Sequence, residues 1–261
     1  MSTPGGQLSC AGQVAVVTGA SRGIGAAIAL ALAEHGADVA CLATTAAGAE
    51  PTAAALRALG RKSIAVGCRV EDSAQVTEAF ARVQAELGPV DILVSNAGVS
   101  RPKPILEMSE ADWDSHMDVN AKSVFLCGQT AARQMIAAGK GGSIINVGSI
   151  AGANAFPKRL AYCASKATVH HATRVMAIEW AQYGIRVNCI APGYVLTEMI
   201  QALIDQELVD ADALRQRTPQ RRLGTPEQVA SVVAFLASPQ AGLVTGDVVF
   251  ADGGWDAYGF V

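Results

Sequence analysis

The chain of 261 residues lacks any run of 18 apolar residues, so we expect no transmembrane helix. Its first residues, MSTPGGQLSCAG, have neither a charged start nor an apolar stretch, and we expect no signal peptide. With a net charge of −3, the chain has no basic field to attract nucleic acid. We therefore predict that it binds neither a membrane nor nucleic acid.

The six cysteines form no C-x-x-C pair, and the four histidines form no H-E-x-x-H pair. Three of the cysteines fall in apolar runs that we interpret as strands, which favours reduced thiols and a cytoplasmic location. His170 and His171 would point about 100° apart on a helix, so they cannot face one metal together. We expect no metal site, and structural or substrate-facing histidines.

Short apolar segments alternate with helical patterns along most of the chain. The segments are rich in β-branched residues and continuously apolar, as in a parallel sheet that is covered on both faces. Repeated βα units predict an α/β fold, a single doubly wound Rossmann domain with right-handed crossovers and about seven parallel strands. The predicted strands span 14–19, 38–43, 63–68, 91–96, 143–149, 185–193 and 247–254.

No linker interrupts this pattern, so we predict one domain over residues 12–261, preceded by a flexible lead over residues 1–11. The least regular region, 194–224, is charged and follows a strand. Ligands bind at the carboxyl edge of such sheets. The region is therefore predicted to be a lid over the substrate, with a plain surface excursion as the alternative.

A glycine-rich turn, TGASRGIG at 18–25, follows the first strand and opens the first helix. Glycines at 19, 23 and 25 let the backbone turn sharply and approach a pyrophosphate at the N-terminus of that helix. In the first βα unit of a doubly wound fold, this turn favours a dinucleotide cofactor. It also makes the predicted domain a dinucleotide-binding one.

Tyr162 and Lys166 are four residues apart and share one face of a predicted helix. By itself such a pair is usually a surface pair. A cation about 4 Å from a phenolate, at an effective dielectric of ~20, stabilises it by roughly 4 kcal/mol. Lys166 could therefore let Tyr162 exchange protons near neutral pH. Ser149 has no G-x-S-x-G surroundings and is not interpreted as a nucleophile.

The features that carry a family resemblance are the glycine turn, the motif NAG at 96–98, Asn120, Ser149, Tyr162, Lys166 and PGYVLT at 192–197. With these motifs, the chain resembles the short-chain dehydrogenase/reductase family over about residues 12–254. The resemblance implies that Tyr162 exchanges the proton at the substrate oxygen and that Lys166 binds the nicotinamide ribose. It implies that Ser149 hydrogen-bonds the substrate oxygen and that Asn120 holds a water in a proton relay. The residues that it implies for cofactor binding are Gly19, Ser21, Arg22, Gly23, Ile24, Gly25, Thr44, Asn96, Ala97, Gly98, Tyr162, Lys166, Pro192, Gly193, Val195 and Thr197.

No carboxylate ends the second strand to hold a ribose 2′-hydroxyl, because Ala43 and Thr44 stand there. Arg22 in the glycine turn can supply positive charge to a 2′-phosphate. This pattern favours NADP(H), with NAD(H) possible. Many relatives carry an aspartate that contacts adenine where this chain has Arg69. That arginine could stack on adenine, add charge beside the phosphate, or face solvent.

The resemblance points to a small-molecule substrate with a carbonyl or secondary alcohol, such as a polyol, sugar or ketone. A second resemblance is to reductases of 3-oxoacyl thioesters on an acidic carrier protein, although Ile178 occupies one of their basic positions and only Lys140 matches the other. A non-enzymatic NADP(H)-binding sensor, and an isomerase or dehydratase, are further alternatives. The residues that could meet a hydroxylated substrate are His116, Asn154, Arg159 and Tyr194.

Relatives commonly form homotetramers through two long helices, which correspond to about 110–138 and 161–183, and through the last strand. The apolar content of both segments fits this assembly, so we expect a homotetramer. The tail WDAYGFV carries Trp255, Tyr258 and Phe260. It is predicted to pack on a neighbouring subunit, with packing on its own core as the alternative.

Overall fold

A computed structural model describes residues 8–205 and 209–259 of the chain. Seven parallel strands form one sheet in the order β3-β2-β1-β4-β5-β6-β7. The predicted doubly wound α/β fold with about seven parallel strands is confirmed. The strands are β1 Val14–Thr18, β2 Asp38–Ala43, β3 Ser63–Gly67, β4 Ile92–Ser95, β5 Gly142–Val147, β6 Ile185–Pro192 and β7 Val248–Ala251.

Helices connect the strands and cover both faces of the sheet. Within the described ranges, none of them is long and apolar enough to cross a membrane. The α-helices are α1 Gly23–Glu34, α2 Ala46–Ala58, α3 Ser73–Glu86, α4 Glu110–His116, α5 Ser123–Ala138, α6 Leu160–Trp180, α7 Glu198–Asp205, α8 Ala211–Arg217 and α9 Pro226–Ala237.

Two apolar layers lie on opposite faces of the sheet. Ile28 and Leu32 of α1 and Val233 of α9 are buried in one layer. Phe80 of α3 and Met135 of α5 are buried in the other. Because side chains of successive strand residues point to opposite faces, every position of a central strand enters one layer or the other. This explains the continuously apolar strands of the sequence.

Local contacts explain where two elements begin, and one predicted helix is corrected. Helix α2 begins at Ala46, because the Thr45 side chain caps it by accepting the Gly48 N–H at 3.1 Å. The long helix predicted from residue 110 is interrupted by a π-helical segment, Met117–Lys122. Residues 1–7 of the predicted flexible lead lie outside the described residues. Cys10 of the same segment is buried in the core, and its N–H donates to His35 O at 2.8 Å.

The C-terminal tail packs on its own chain as far as it is described. Trp255 is buried, and its ring centre lies 5.1 Å from that of Tyr194 and 6.4 Å from that of Phe156. The guanidinium of Arg217, at the end of α8, stacks 4.7 Å from the Trp255 ring. For Trp255 the own-core alternative therefore holds, and Phe260 lies outside the described residues. The region 194–224 contains α7 and α8, and its role as a lid stays a prediction.

Strand order determines where a site can form. The chain leaves β1 towards β2 and β3 on one side and towards β4 on the other, so the order reverses between β1 and β4. Open α/β sheets bind ligands in the crevice beyond the carboxyl ends of the strands at such a reversal. The glycine turn follows β1 and the NAG segment follows β4, which brings both to this crevice.

Candidate active site

The glycine turn packs directly against the segment that follows β4. Gly19 and Gly23 have φ values of +65° and +56°, in the left-handed region that favours glycine. A Cβ on Gly25 would overlap the Gly19 carbonyl oxygen, and a Cβ on Gly19 would lie 2.9 Å from Ala97 Cα. The turn and residues 96–98 therefore lie in direct contact, and this contact requires glycine at positions 19 and 25.

Thr18 holds the two segments together. Its Oγ1 accepts the N–H groups of Asn96 and Ala97, each at 3.0 Å. The Asn96 Nδ2 donates back to Thr18 O at 3.0 Å and to Gly19 O at 3.2 Å. The Asn96 side chain therefore stabilises the backbone of the glycine turn. Thr18 is not among the predicted site residues, although a threonine at the end of β1, directly before the glycines, is a visible signal.

Asn120 lies in the π-helical segment between α4 and α5 and is buried. Its Oδ1 accepts the Val99 N–H at 2.7 Å, and its Nδ2 donates to Val99 O at 2.9 Å and to Ser165 Oγ at 3.0 Å. Both amide hydrogens have protein acceptors, so the side chain can meet a water only through Oδ1. Its observed contacts fix the loop after β4. Short π-helical segments frequently occur at functional sites.

Tyr162 and Lys166 lie one turn apart at the start of α6, as the spacing predicted. Lys166 is 4% exposed, and its Nζ lies 5.8 Å from the centre of the Tyr162 ring. The Nζ donates to Val147 O, at the end of β5, at 2.7 Å. An ammonium has three hydrogens, so two remain for ligands. Ser165, which the sequence analysis missed, links this turn to Asn120 and donates to Tyr162 O at 2.8 Å.

Ser149 follows β5 and is almost buried. Its Oγ accepts the Ala151 N–H at 3.1 Å, which leaves the hydroxyl hydrogen for a substrate oxygen. The segment from Ile150 to Gly152 packs against α6, the helix that carries Tyr162. The structure therefore brings the predicted serine, tyrosine and lysine to the same end of β5.

His170 supports the Ser149 segment from inside the molecule. A Cβ on Gly148 would lie 2.6 Å from its Nε2, and a Cβ on Gly152 would lie 2.7 Å from its Nδ1, so glycine is needed at both positions. Burial lowers the pKa of His170 to about 4, and the positive charges of Lys166 and Arg174 act in the same direction. Of the two roles that the sequence left open for this histidine, the structural one holds.

The segment that follows β6 returns over the glycine turn. Pro192 ends β6, and Val195 forms a parallel bridge with Gly224. A Cβ on Gly23 would lie 3.5 Å from the Thr197 methyl group, so Thr197 adjoins the turn. The Oγ1 of Thr197 accepts the Ile200 N–H at 3.3 Å and so caps the start of α7. The predicted residues of 192–197 thus border the same crevice.

The residues predicted to determine the cofactor preference, Arg22, Thr44 and Arg69, follow β1, β2 and β3. Arg22 and Thr44 are exposed, and in the described part of the chain no ion pair involves Arg22. Arg69 pairs with Glu71 at 2.9 Å and leaves 62% of its side chain exposed. Among the alternatives for Arg69, the solvent-facing one fits this contact.

Two of the four predicted substrate-facing residues have hydrogen-bond partners within the protein. His116 is buried, accepts the Arg101 N–H at Nε2 (3.1 Å) and donates from Nδ1 to Asp112 O (2.7 Å). Asn154 donates to Asp256 in the C-terminal tail at 2.6 Å. Tyr194 and Arg159 stay available to a substrate. Burial raises the pKa of Tyr194, nearby Arg159 opposes this shift, and Tyr162 adds to it.

A nicotinamide dinucleotide fits this crevice. The bare glycines of the turn form a cradle that Cβ atoms would fill. Gly98 leaves the space above Lys166 open, since a Cβ there would lie 3.7 Å from the Nζ. Among the described residues, no three His, Cys, Asp or Glu side chains are grouped to hold a metal ion. The arrangement offers a buried cation, a phenol and a hydroxyl beside a dinucleotide cradle.

Comparison with known proteins agrees with this geometry. A family model described as enoyl-(acyl carrier protein) reductase matches residues 19–256. The gluconate 5-dehydrogenase of Gluconobacter oxydans (strain 621H) is 38% identical over 247 residues, covering 94% of this chain and 95% of the relative. The D-threitol dehydrogenase of Mycolicibacterium smegmatis (strain ATCC 700084 / mc(2)155) is 42% identical and covers 94% and 93%. The 3-oxoacyl-[acyl-carrier-protein] reductase FabG of Staphylococcus epidermidis (strain ATCC 35984) is 40% identical and covers 92% and 97%.

Solved structures are similarly close. A gluconate 5-dehydrogenase from Burkholderia cenocepacia J2315, in complex with NADP and tartrate, is 37% identical, covers 96% of this chain and 98% of its own, and superposes with a TM-score of 0.91. A short-chain type dehydrogenase/reductase from Mycobacterium marinum is 36% identical with the same coverage and TM-score. The chain belongs to the short-chain dehydrogenase/reductase family, as a NAD(P)-dependent dehydrogenase that acts on CH–OH groups.

Proposed function

We propose that this enzyme transfers a hydride between NADP(H) and a secondary alcohol or ketone of a small polyol, sugar or related compound. The observation that carries the proposal is the position of Tyr162 beside the buried ammonium of Lys166, at the strand ends that border the glycine cradle. Tyr162 gives or takes the proton at the substrate oxygen. Asn120, Ser149, Tyr162 and Lys166 form the proposed catalytic set.

When bound, the nicotinamide supplies or accepts the hydride. Ser149 holds the substrate oxygen with the hydroxyl hydrogen that its bond to Ala151 leaves available. Lys166 is fixed by Val147 O and keeps two hydrogens that would donate to the ribose of the cofactor. Its positive charge stabilises negative charge that develops on the Tyr162 oxygen. Asn120 keeps the loop after β4 in place through its three hydrogen bonds.

The preference for NADP(H) is supported by charge. No carboxylate follows β2 to repel a 2′-phosphate, and exposed Arg22 and Thr44 can donate to it. A solved relative that is 37% identical binds NADP. Arg22→Ala is expected to raise the KM for NADPH by about 10- to 100-fold and to leave that for NADH within about twofold, since one charge-assisted contact contributes about 1.5–3 kcal/mol. Equal changes for both cofactors would contradict the preference.

The substrate class is supported by relatives that act on gluconate and D-threitol. The second candidate is a 3-oxoacyl thioester on a carrier protein, which is supported by a relative that is 40% identical. Against it, one position that is basic in such reductases is Ile178, whose side chain is 79% exposed and offers no charge to an acidic carrier.

A substrate panel separates these candidates. Polyols, sugars, sugar acids and cyclic alcohols are tested for oxidation with NADP⁺ or NAD⁺. Ketones and 3-oxoacyl thioesters are tested for reduction with NADPH or NADH. The absorbance of the reduced cofactor is followed in both directions. We expect turnover with the small alcohols or ketones and with NADP(H). Turnover of the thioesters alone would favour the second candidate, and cofactor binding without turnover of any compound would contradict both.

The proposal includes a homotetramer. Exposed apolar side chains lie on the outer faces of α5 and α6, where Phe125 is 50% exposed and Val175 is 45% exposed. Exposed apolar side chains on two neighbouring helices fit a contact with a second copy of the chain. Sedimentation analysis should give a tetramer for the native enzyme and smaller species for Val175→Glu. A monomeric native enzyme would refute this part of the proposal.

A further inference from the structure

Two loops beside Tyr162 carry four positive side chains, which we name the cationic rim: Arg101, Lys103, Lys158 and Arg159. One loop follows β4 and the other precedes α6. The Lys103 N–H donates to Lys158 O at 2.7 Å, and Arg159 Nη1 donates to Ser100 Oγ at 3.0 Å. These bonds join the two loops, so the four charges belong to one surface.

Most of this charge has no acidic partner. Lys103 pairs with Asp112 at 2.6 Å, and this bond, first among several, holds the pKa of Asp112 below its usual range. Over residues 8–205 and 209–259, no ion pair involves the other three members of the rim. The chain as a whole has a net charge of −3. Unpaired cations at one place in an acidic protein attract an anion to that place.

Arg159 lies next to the proposed reaction site. It is half-buried and comes directly before α6, three residues ahead of Tyr162. The Arg159 N–H donates to Phe156 O at 3.2 Å, and the Phe156 ring lies 6.4 Å from the ring of Tyr194 in an edge-to-face contact. The loop that carries Arg159 therefore contacts Tyr194 and leads directly into the helix of Tyr162.

The anion that Arg159 would meet is not a phosphate of the cofactor. The glycine turn and Thr44 follow β1 and β2, whereas the rim follows β4 and β5, and the strand order is β2-β1-β4-β5. The cradle for the pyrophosphate and the rim thus lie on opposite sides of the crevice. Arg22 already supplies a cation on the cofactor side.

We propose that Arg159 binds a carboxylate of the substrate, so that the enzyme prefers small hydroxy or oxo acids to neutral polyols. This inference rests on the function proposed above. The planar guanidinium presents two parallel N–H groups that match the two oxygens of a carboxylate, and the Tyr194 hydroxyl adds a further donor. Arg159 itself is half-buried and donates to Ser100, which favours a small anion over the surface of a carrier protein as its partner.

The test uses substrate pairs that differ in the carboxylate. D-gluconate is compared with D-glucitol, and cis-4-hydroxycyclohexanecarboxylate with its methyl ester, each with NADP⁺. The native enzyme should favour the acid in each pair that it oxidises by at least about tenfold in kcat/KM. Arg159→Met should lower kcat/KM for the acid by about 10- to 100-fold and change that for the neutral partner by less than about twofold.

Three variants and one binding measurement keep the result interpretable. Arg159→Lys keeps the positive charge but lacks the planar guanidinium, so it should retain part of the preference for the acid. Arg82→Met removes an exposed arginine of α3 that pairs with Glu86, and should leave both substrates unaffected. Lys158→Met tests the neighbouring charge and should have a smaller effect than Arg159→Met. NADPH affinity, measured by fluorescence, should stay within about twofold of the native value in Arg159→Met.

Other outcomes overturn the inference in distinguishable ways. Turnover of neutral alcohols without preference for the acids would refute it and leave the proposed function standing. Equal losses for both members of a pair in Arg159→Met would make Arg159 a residue that only positions α6. A loss confined to a thioester on a carrier protein would identify a protein partner instead. If no acid and no neutral alcohol is oxidised, the proposed function falls as well.

Discussion

The buried imidazole of His170 should make the stability of the enzyme depend on pH in a way that one substitution removes. The ring lies beneath Gly148 and Gly152, and its Nε2 has no hydrogen-bond partner among the described residues. His170→Leu replaces it with an apolar side chain that cannot take up a proton. His171, the next residue, is exposed, so His171→Leu is a matched control.

The magnitude follows from the two pKa values. In the folded protein the pKa of His170 is about 4, lowered from 6.5 mainly by burial. Above pH 6.5 both folded and unfolded chains hold the neutral ring, and its burial carries no protonation penalty. As the pH falls from 6.5 towards 4, the unfolded chain takes up a proton that the folded chain refuses. The free energy of unfolding therefore falls, by about 2 kcal/mol at pH 5 and by at most about 3 kcal/mol below pH 4.

Urea unfolding at a fixed protein concentration, at pH 7.5 and at pH 5, measures this dependence. Other acidic groups titrate in every variant, so the comparison of interest is between variants. The decrease in unfolding free energy between the two pH values should be smaller by about 2 kcal/mol in His170→Leu than in the native protein and in His171→Leu. Equal decreases in all three proteins would refute the placement of a neutral imidazole under the Ser149 segment.

Two further substitutions test the site and the tail. Gly25→Ala inserts a Cβ that overlaps the Gly19 carbonyl, so the affinity for NADPH in a titration should fall at least about tenfold. The control Gly259→Ala, which has open space around its Cβ, should bind NADPH normally. Unchanged binding in Gly25→Ala would contradict the tight turn. Arg217→Met removes the stacking on Trp255 and the hydrogen bond to Tyr258 O at 2.9 Å, so amide hydrogen exchange of residues 255–259 should accelerate about tenfold or more. The control Arg215→Met, at an exposed residue that pairs with Asp212, should leave this exchange unchanged. Unaltered exchange in Arg217→Met would show that other contacts hold the tail.

Local patterns were sufficient to predict the fold and most of the crevice. Continuous apolar strands indicated a sheet covered on both faces, and the two apolar layers confirm this. The glycine turn predicted a sharp bend of the backbone, and the overlaps at Gly19 and Gly25 show that its packing requires glycine. Tyr162 and Lys166 are four residues apart on one helix, so helical geometry alone brings them together.

Features that depend on contacts distant in sequence could not be predicted. The apolar pattern runs without a break from α4 into α5, so it conceals the π-helical segment that carries Asn120. Whether His170 faces a substrate or the protein depends on glycines 18 and 22 residues earlier in the chain. Arg69 could not be assigned either, because its pairing with Glu71 depends on the turn between β3 and α3.

The central claim is that the Tyr162 phenol exchanges the proton at the substrate oxygen. Tyr162→Phe keeps the ring beside Lys166 and removes only the hydroxyl. With a substrate found in the panel, kcat should fall by about 10²–10⁴-fold, while the affinity for NADPH stays within about twofold of the native value. Turnover within a few-fold of the native rate, at every pH from 6 to 10, would contradict the claim.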